Sequence, residues 1–224
     1  MAGSRSERSP MRGSRLLVVL VAAVSALVIA GCSSDGYPGD LNGMTRQPQT
    51  EVGNVLLPNE NAKSSNATGS LKGDGDGLML VYFGFTNCPD VCPTTLADLR
   101  LALEDIDPEQ RDRIQVGMVT VDPQRDNAEV LNGYLGFFFP EEQFSSFITN
   151  DKAKLAEVEE IFGASHRIGK KQPDGGYDVD HSALLYAVDS DGVVEVEWPF
   201  GTTAEDMRSD IEQLLDRRAD QSSS

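Results

Sequence analysis

Cysteine is scarce in this chain: three residues in 224, at positions 32, 88 and 92. That excludes the disulfide-stapled scaffold of small exported domains, which relies on several bridges where a core is lacking. Histidine is scarcer still, with only His166 and His181. A structural zinc centre therefore has no evident fourth protein ligand. Basic residues are few, 19 Lys and Arg against 36 Asp and Glu, for a net charge of −17. Such a chain has no electrostatic attraction for nucleic acid or for anionic lipid headgroups. No apolar run reaches the ~20 residues that a membrane-spanning helix needs, and no internal repeat is present.

The longest apolar run, Leu16 to Ala30, follows Arg5, Arg8, Arg12 and Arg15. A basic stretch followed by a short apolar one is the pattern of a secretory signal. The run ends in Ile29-Ala30-Gly31-Cys32, with Ser33, Ser34 and Asp35 behind it. This resembles the bacterial lipobox, whose cysteine is lipidated and whose preceding residues are removed. An uncleaved N-terminal anchor is the other reading of the same run. Both put the remainder at the extracytoplasmic face of the bacterial cell membrane, held there by Cys32-linked lipid in the first case. Removing residues 1–31, which carry four Arg and one Glu, leaves 193 residues with a net charge near −20. Residues 32–50 read as a polar, flexible tether. Residues 51–218 read as one domain with enough chain for a real core, and 219–224 as a disordered tail. With Cys32 lipidated, only Cys88 and Cys92 remain, and one close pair points to chemistry rather than to a staple.

Residues 59–77 are rich in Asn, Ser, Gly and Asp and read as loop. The continuous apolar run Leu78 to Phe85 then fits a central strand buried on both faces. Pro93 opens a helical pattern with Leu96, Leu99, Leu103 and Ile106 on one stripe. Ile114 to Val121 is a second strand, and 128–138 and 152–162 are helices. Ala183 to Val188 and Val193 to Trp198 flank an Asp-Ser-Asp-Gly turn as a hairpin. Thr203 to Leu215 closes the domain as a helix. This order predicts an α/β fold with a mixed central sheet flanked by helices. A cysteine pair between the first main strand and its helix points to a thioredoxin-like fold in particular.

Three segments carry chemistry. In Gly84-Phe-Thr-Asn-Cys88-Pro-Asp-Val-Cys92-Pro93, the pair lies at the C-terminal end of a central strand, where open α/β sheets place their sites. Pro93 suits the first helical position, which puts Cys92 near the N-cap, where amide dipoles favour a thiolate. Three intervening residues leave the pair able to close a disulfide or to open onto a metal. The second segment, Asp178-Val-Asp-His181-Ser182, directly precedes the strand 183–188. In thioredoxin folds the corresponding loop lies against the cysteines and normally carries a proline; here an imidazole stands in it. Two thiolates and one imidazole make a soft, three-coordinate set suited to Cu(I), with room for Cu(II). His166 has no such placement and reads as a surface residue. The third segment, Val121-Asp122-Pro-Gln-Arg125-Asp126, falls at the end of the second strand. It reads either as an Asp-Pro turn capping the next helix or as a charged rim beside the metal built from Asp122, Arg125 and Asp126.

Together, GFTNCPDVCP, VDPQRD and DVDHS resemble the Sco/SenC proteins, over a stretch from about Leu78 to Leu215. The resemblance implies a thioredoxin fold with copper on Cys88, Cys92 and His181. It further implies a metallochaperone for the binuclear copper centre of cytochrome c oxidase subunit II, by copper transfer or by reduction of that subunit's cysteines. Other copper carriers or thiol reductants would be additional partners. Upstream of Leu78 the Gly/Asn/Ser-rich stretch departs from the family's usual N-terminal hairpin. Residues 166–177 match a region that forms an extra hairpin in the family, and a mobile loop is expected there. The competing function is an extracytoplasmic thiol–disulfide oxidoreductase that uses Cys88 and Cys92 as a redox pair. A third, a peroxide-reducing enzyme, wants a Thr or Ser before its cysteine and an Arg over it, and Asn87 and the spacing do not supply them.

Overall fold

The computed structural model describes residues 41–61 and 68–222. Cys32 and the signal-like segment lie outside them. The sheet forms around β4, Leu78–Gly84, in which every residue is buried. A strand covered on both faces must be apolar throughout, which is why this run carries no alternation. β4 pairs in parallel with β5, Ile114–Thr120, which pairs in parallel with β6, Phe144–Phe147. On its other side β4 runs antiparallel to β9, Leu184–Val188. Beyond β9 lie β10, Val193–Pro199, and the two-residue β1, Thr50–Glu51, both antiparallel to their neighbours. The six-stranded sheet therefore has the order β1-β10-β9-β4-β5-β6, mixed as expected.

Helices cover the sheet. α1, Val91–Glu104, buries Cys92, Thr95, Leu96, Leu99, Ala102 and Leu103 on one stripe and packs against α5, Ala204–Ser222. A short turn of helix, α2 (Pro108–Arg111), and α3 (Ala128–Leu135) follow in order, α3 ending at Gly136 rather than running to 138. α4, Lys152–Phe162, is capped by Asp151, whose carboxylate accepts from the amides of Ala153 and Lys154 at 2.9 and 3.2 Å. It stops at Gly163, whose φ of 65° is the left-handed conformation that favours glycine. Among the described residues no helix is long and apolar enough to cross a membrane.

Four features differ from the sequence reading. Residues 41–50 are not all tether. Asp210 on α5 accepts from the amides of Asn42 and Gly43 at 2.7 and 2.9 Å and from Trp198 Nε1 at 2.8 Å, and Met44 exchanges two backbone hydrogen bonds with Glu197. At the other end, α5 continues through residues 219–222. The ion pair of Arg218 with buried Asp189, at 2.7 Å, fixes its last turns. The loop assigned to residues 59–77 contains β3, Thr68–Ser70, which pairs with β2, Leu56–Pro58, as a small hairpin. Finally, the segment expected to be a mobile loop starts and ends in a ladder: β7, His166–Ile168, pairs with β8, Val179–His181.

Candidate metal centre

β4 delivers the chain to the site. Space makes its last residue a glycine: a Cβ on Gly84 would come within 2.8 Å of Tyr82 Cε1 and 3.0 Å of Cys92 Sγ. Phe85, Thr86 and Asn87 turn the chain, and α1 begins at Val91 with Asp90 as its N-cap residue. Cys92 is thus the second helical residue and Pro93 the third, two positions later than the sequence implied. The shift changes which sulfur meets the helix terminus. The free amide of Cys92 donates to Cys88 Sγ at 3.3 Å, so the first-turn dipole acts on Cys88 rather than on Cys92. Cys92 is fully buried, and burial pushes its thiol up to about 12, with Cys88 adding to the rise. Both cysteines are reduced and free.

His181 reaches the pair from β8. Its Nδ1 lies 2.9 Å from the carbonyl oxygen of Ser182. A carbonyl only accepts, so Nδ1 carries the proton and Nε2 presents its lone pair. That Nε2 sits 3.3 Å from Cys92 Sγ, and the thiol proton bridges them. Burial lowers the His181 pKa, against smaller opposing hydrogen bonds from the Ser182 and Phe83 backbone, so the ring is held neutral. Its edges meet Tyr82 and Phe85 in T-shaped contacts, with centroids 6.1 and 5.7 Å away. The ligand atoms of Cys88, Cys92 and His181 all lie within 4.8 Å of one another. Two sulfurs and a neutral nitrogen in an apolar wall are a donor set for a soft, three-coordinate ion.

The charged rim supplies no donor to this group; it holds the two halves of the site together. Asp122, itself buried, pairs with Arg125 Nε and accepts from the Tyr177 hydroxyl at 2.7 Å. The guanidinium of Arg125 lies 4.0 Å over the Tyr177 ring and 5.6 Å over Phe85, and its Nη1 donates to the Tyr177 carbonyl at 3.2 Å. Arg125 thereby links the hairpin that carries His181 to the loop that carries Cys88. Asp126 is buried and accepts from the Thr86 amide at 3.1 Å, from Thr86 Oγ1 at 2.5 Å and from Thr120 Oγ1 at 2.6 Å. It pins the residue two before Cys88. Capping of α3 falls to Asn127, which accepts from the Val130 amide at 3.0 Å, not to Asp122.

Several contributors carried no sequence signal. Tyr82 and Phe85 belong to a run that reads as core and nothing else. Tyr177 lies in the segment read as a loop. His166 is not a surface residue: it is half-buried, with Nδ1 2.7 Å from Oε1 of buried Glu159. That hydrogen bond raises its pKa, with burial opposing.

Comparison with known proteins places the chain among relatives of one family. An SCO2-like protein of Rickettsia prowazekii is 38% identical over 116 residues, which are 51% of this chain and 55% of that protein. The chain thus spans a little over half the length of that relative. The solution structure of apo Sco1 from Thermus thermophilus superposes with a TM-score of 0.66 at 29% identity, covering 80% of this chain and 99% of that one. The structure of Bradyrhizobium japonicum ScoI with copper bound gives a TM-score of 0.60 at 28% identity, covering 72% and 98%. The family model SCO1/SenC matches residues 60–216, a stretch that holds Cys88, Cys92, His181 and the whole rim. The chain belongs to the SCO1/SenC family.

Proposed function

We propose that the protein binds copper on Cys88, Cys92 and His181 and serves as a metallochaperone for the binuclear copper centre of cytochrome c oxidase subunit II. The observation that carries the copper reading is the convergence of two thiols and one neutral imidazole within 4.8 Å. Dithiol exchange needs no imidazole ligand, whereas a metal site gains one from a nitrogen aimed at the buried sulfur. The structure of Bradyrhizobium japonicum ScoI with copper bound, on the same fold, supports it. Membership of the SCO1/SenC family supports the oxidase partner. In this role copper is cargo. The two sulfurs hold Cu(I), the imidazole adds the harder nitrogen that Cu(II) gains from, and partial exposure of Cys88 gives an acceptor's ligands access.

A copper titration of the reduced domain, with and without His181, tests the reading. One copper per protein with a thiolate-to-copper absorption is expected. A reduced domain that takes up no copper would leave the thiol–disulfide oxidoreductase reading, which the adjacent reduced pair also supports. We also assign the protein to the extracytoplasmic face of the membrane through lipid on Cys32, on the strength of the basic, apolar and Gly31-Cys32 pattern. Cys32→Ser should release the domain or block its processing; unchanged mass and unchanged membrane retention would overturn the assignment.

A further inference from the structure

Phe200 is left 46% exposed, a large apolar side chain turned to solvent. It sits in Pro199-Phe200-Gly201, where the chain leaves β10 for α5. Gly201 turns the chain there with a φ of 89°, a left-handed conformation that favours glycine. The turn adjoins both elements that carry the candidate ligands. The Phe200 amide donates to the Ala183 carbonyl at 2.9 Å, and Ala183 is two residues beyond His181. On its other side, Pro199 and Gly201 line a small cavity with Thr95 and Asp98 of α1, and Thr95 is three residues beyond Cys92.

Charge gives this face a character of its own. Residues 73–99 and 172–207 hold Cys88, Cys92, His181 and Phe200, and contain no Lys or Arg. Asp90, the exposed N-cap residue of α1, makes no side-chain capping bond. Neither it nor Asp98 has an ion pair among the described residues. Arg125, which adjoins the site through Phe85, is already paired with buried Asp122. The half-exposed Cys88 therefore shares a face with one aromatic side chain and unpaired carboxylates. Protein interfaces anchor on aromatic side chains, and charges around the anchor steer the encounter.

We propose that Phe200 is the anchor on which the copper acceptor docks. Its ring enters an apolar pocket of the acceptor, and Lys or Arg around that pocket face Asp90 and Asp98. This rests on the copper-delivery reading. Passing a metal from ligand to ligand requires a partner that covers Cys88, and the turn adjoins that opening. A second copy of this chain would set carboxylates against carboxylates, and an anionic lipid surface would meet the same repulsion.

The test mixes the full-length protein carrying one Cu(I) with the copper-free binuclear domain of cytochrome c oxidase subunit II from the same organism. The rate of copper arrival and the affinity of the pair are measured. Phe200→Ala should lower both at least about tenfold, the usual effect of truncating an anchor, while Cu(I) affinity against a small chelator and the melting temperature stay at wild-type values. Phe200→Leu should recover part of the loss. Asp90→Asn with Asp98→Asn should slow transfer at low salt, and the difference from wild type should vanish at high salt. Phe137, 83% exposed after α3 and packed on Phe138, is the control, and Phe137→Ala should transfer as wild type does. A Phe200→Ala protein that transfers normally, or one whose chelator-measured affinity falls as far as its transfer rate, would overturn the proposal and leave the delivery reading standing. A wild-type protein that delivers no copper to the domain would overturn the delivery reading, and the occupant named here with it. Self-association of wild type in sedimentation that Phe200→Ala abolishes would give the turn to a second copy and overturn the proposal.

Discussion

His166 stands directly opposite His181 in the β7–β8 ladder, yet the two imidazoles serve different partners. His181 turns Nε2 toward Cys92, whereas His166 turns Nδ1 toward Glu159 on α4. One therefore belongs to the sulfur site and the other to the joint between the hairpin and the domain. His181→Ala should weaken Cu(II) binding at least tenfold and alter the thiolate-to-copper absorption, while Cu(I) binding, satisfied by two sulfurs, falls much less. His166→Ala should keep both copper affinities but lose about 1 kcal/mol of stability, because buried Glu159 is left without its partner. Competition titrations and thermal melts separate the two outcomes. If the variants bind copper alike, His181 is no ligand.

The rim predicts a second division. Asp126 holds the Thr86 amide and hydroxyl, so it acts on the loop that carries Cys88. Asp126→Ala strands these donors and should cost about 2 kcal/mol, weakening Cu(I) and Cu(II) together. Arg125 acts instead through Phe85 and Tyr177, which border His181 and its hairpin. Arg125→Ala should therefore resemble a mild His181 variant, with Cu(II) weakened more than Cu(I). Equal losses in both oxidation states for Arg125→Ala would count against a link to the histidine.

What the sequence made legible follows from where the signal is local. Leu78 to Gly84 announces a doubly buried strand because every side chain must be apolar, and the Cys88, Cys92 and His181 set is readable because few residue types can hold a soft metal. The missed elements depend on distant partners. β6 reads Phe-Ser-Ser-Phe, and its buried Ser146 is tolerable only because Oγ donates to Asn132 Oδ1 at 2.5 Å and its amide to Asn59 at 3.2 Å. β3 is a Thr-Gly-Ser triplet whose glycine fits under Phe147, 2.8 Å from where a Cβ would be. The reading of His166 failed because Gly163 folds the chain back along α4 and brings Glu159, seven residues earlier, beneath it. The dipole argument for Cys92 missed by two helical positions, which is enough to hand the Cys92 amide to the other sulfur.

Redox state should gate loading. The same two sulfurs cannot both pair with each other and bind metal, so closing Cys88–Cys92 removes two of three donors. Oxidised protein should contain one Cys88–Cys92 disulfide by peptide mapping and take up almost no copper until a thiol reductant is added. Equal uptake by oxidised and reduced protein would exclude the cysteine pair as the ligand set.

Loading should also release protons with a definite pH dependence. Burial holds the Cys92 thiol up at about 12, so across the neutral range copper must displace a proton from that sulfur. Apparent affinity should rise about tenfold per pH unit for each proton displaced, and the Cys92 contribution should persist well above pH 8. His181 behaves oppositely: its pKa is lowered from 6.5, so above that value the ring is already neutral and contributes nothing to the slope. Only at lower pH does a further proton join, and the dependence steepens there. Cu(I) affinity measured against a competing chelator at about pH 7, 8 and 9 gives the slope directly, and Cys92→Ser should flatten it by one proton per copper. A wild-type affinity that stays level across that range would show that Cys92 enters the site without losing a proton, and the buried sulfur would then be no copper ligand.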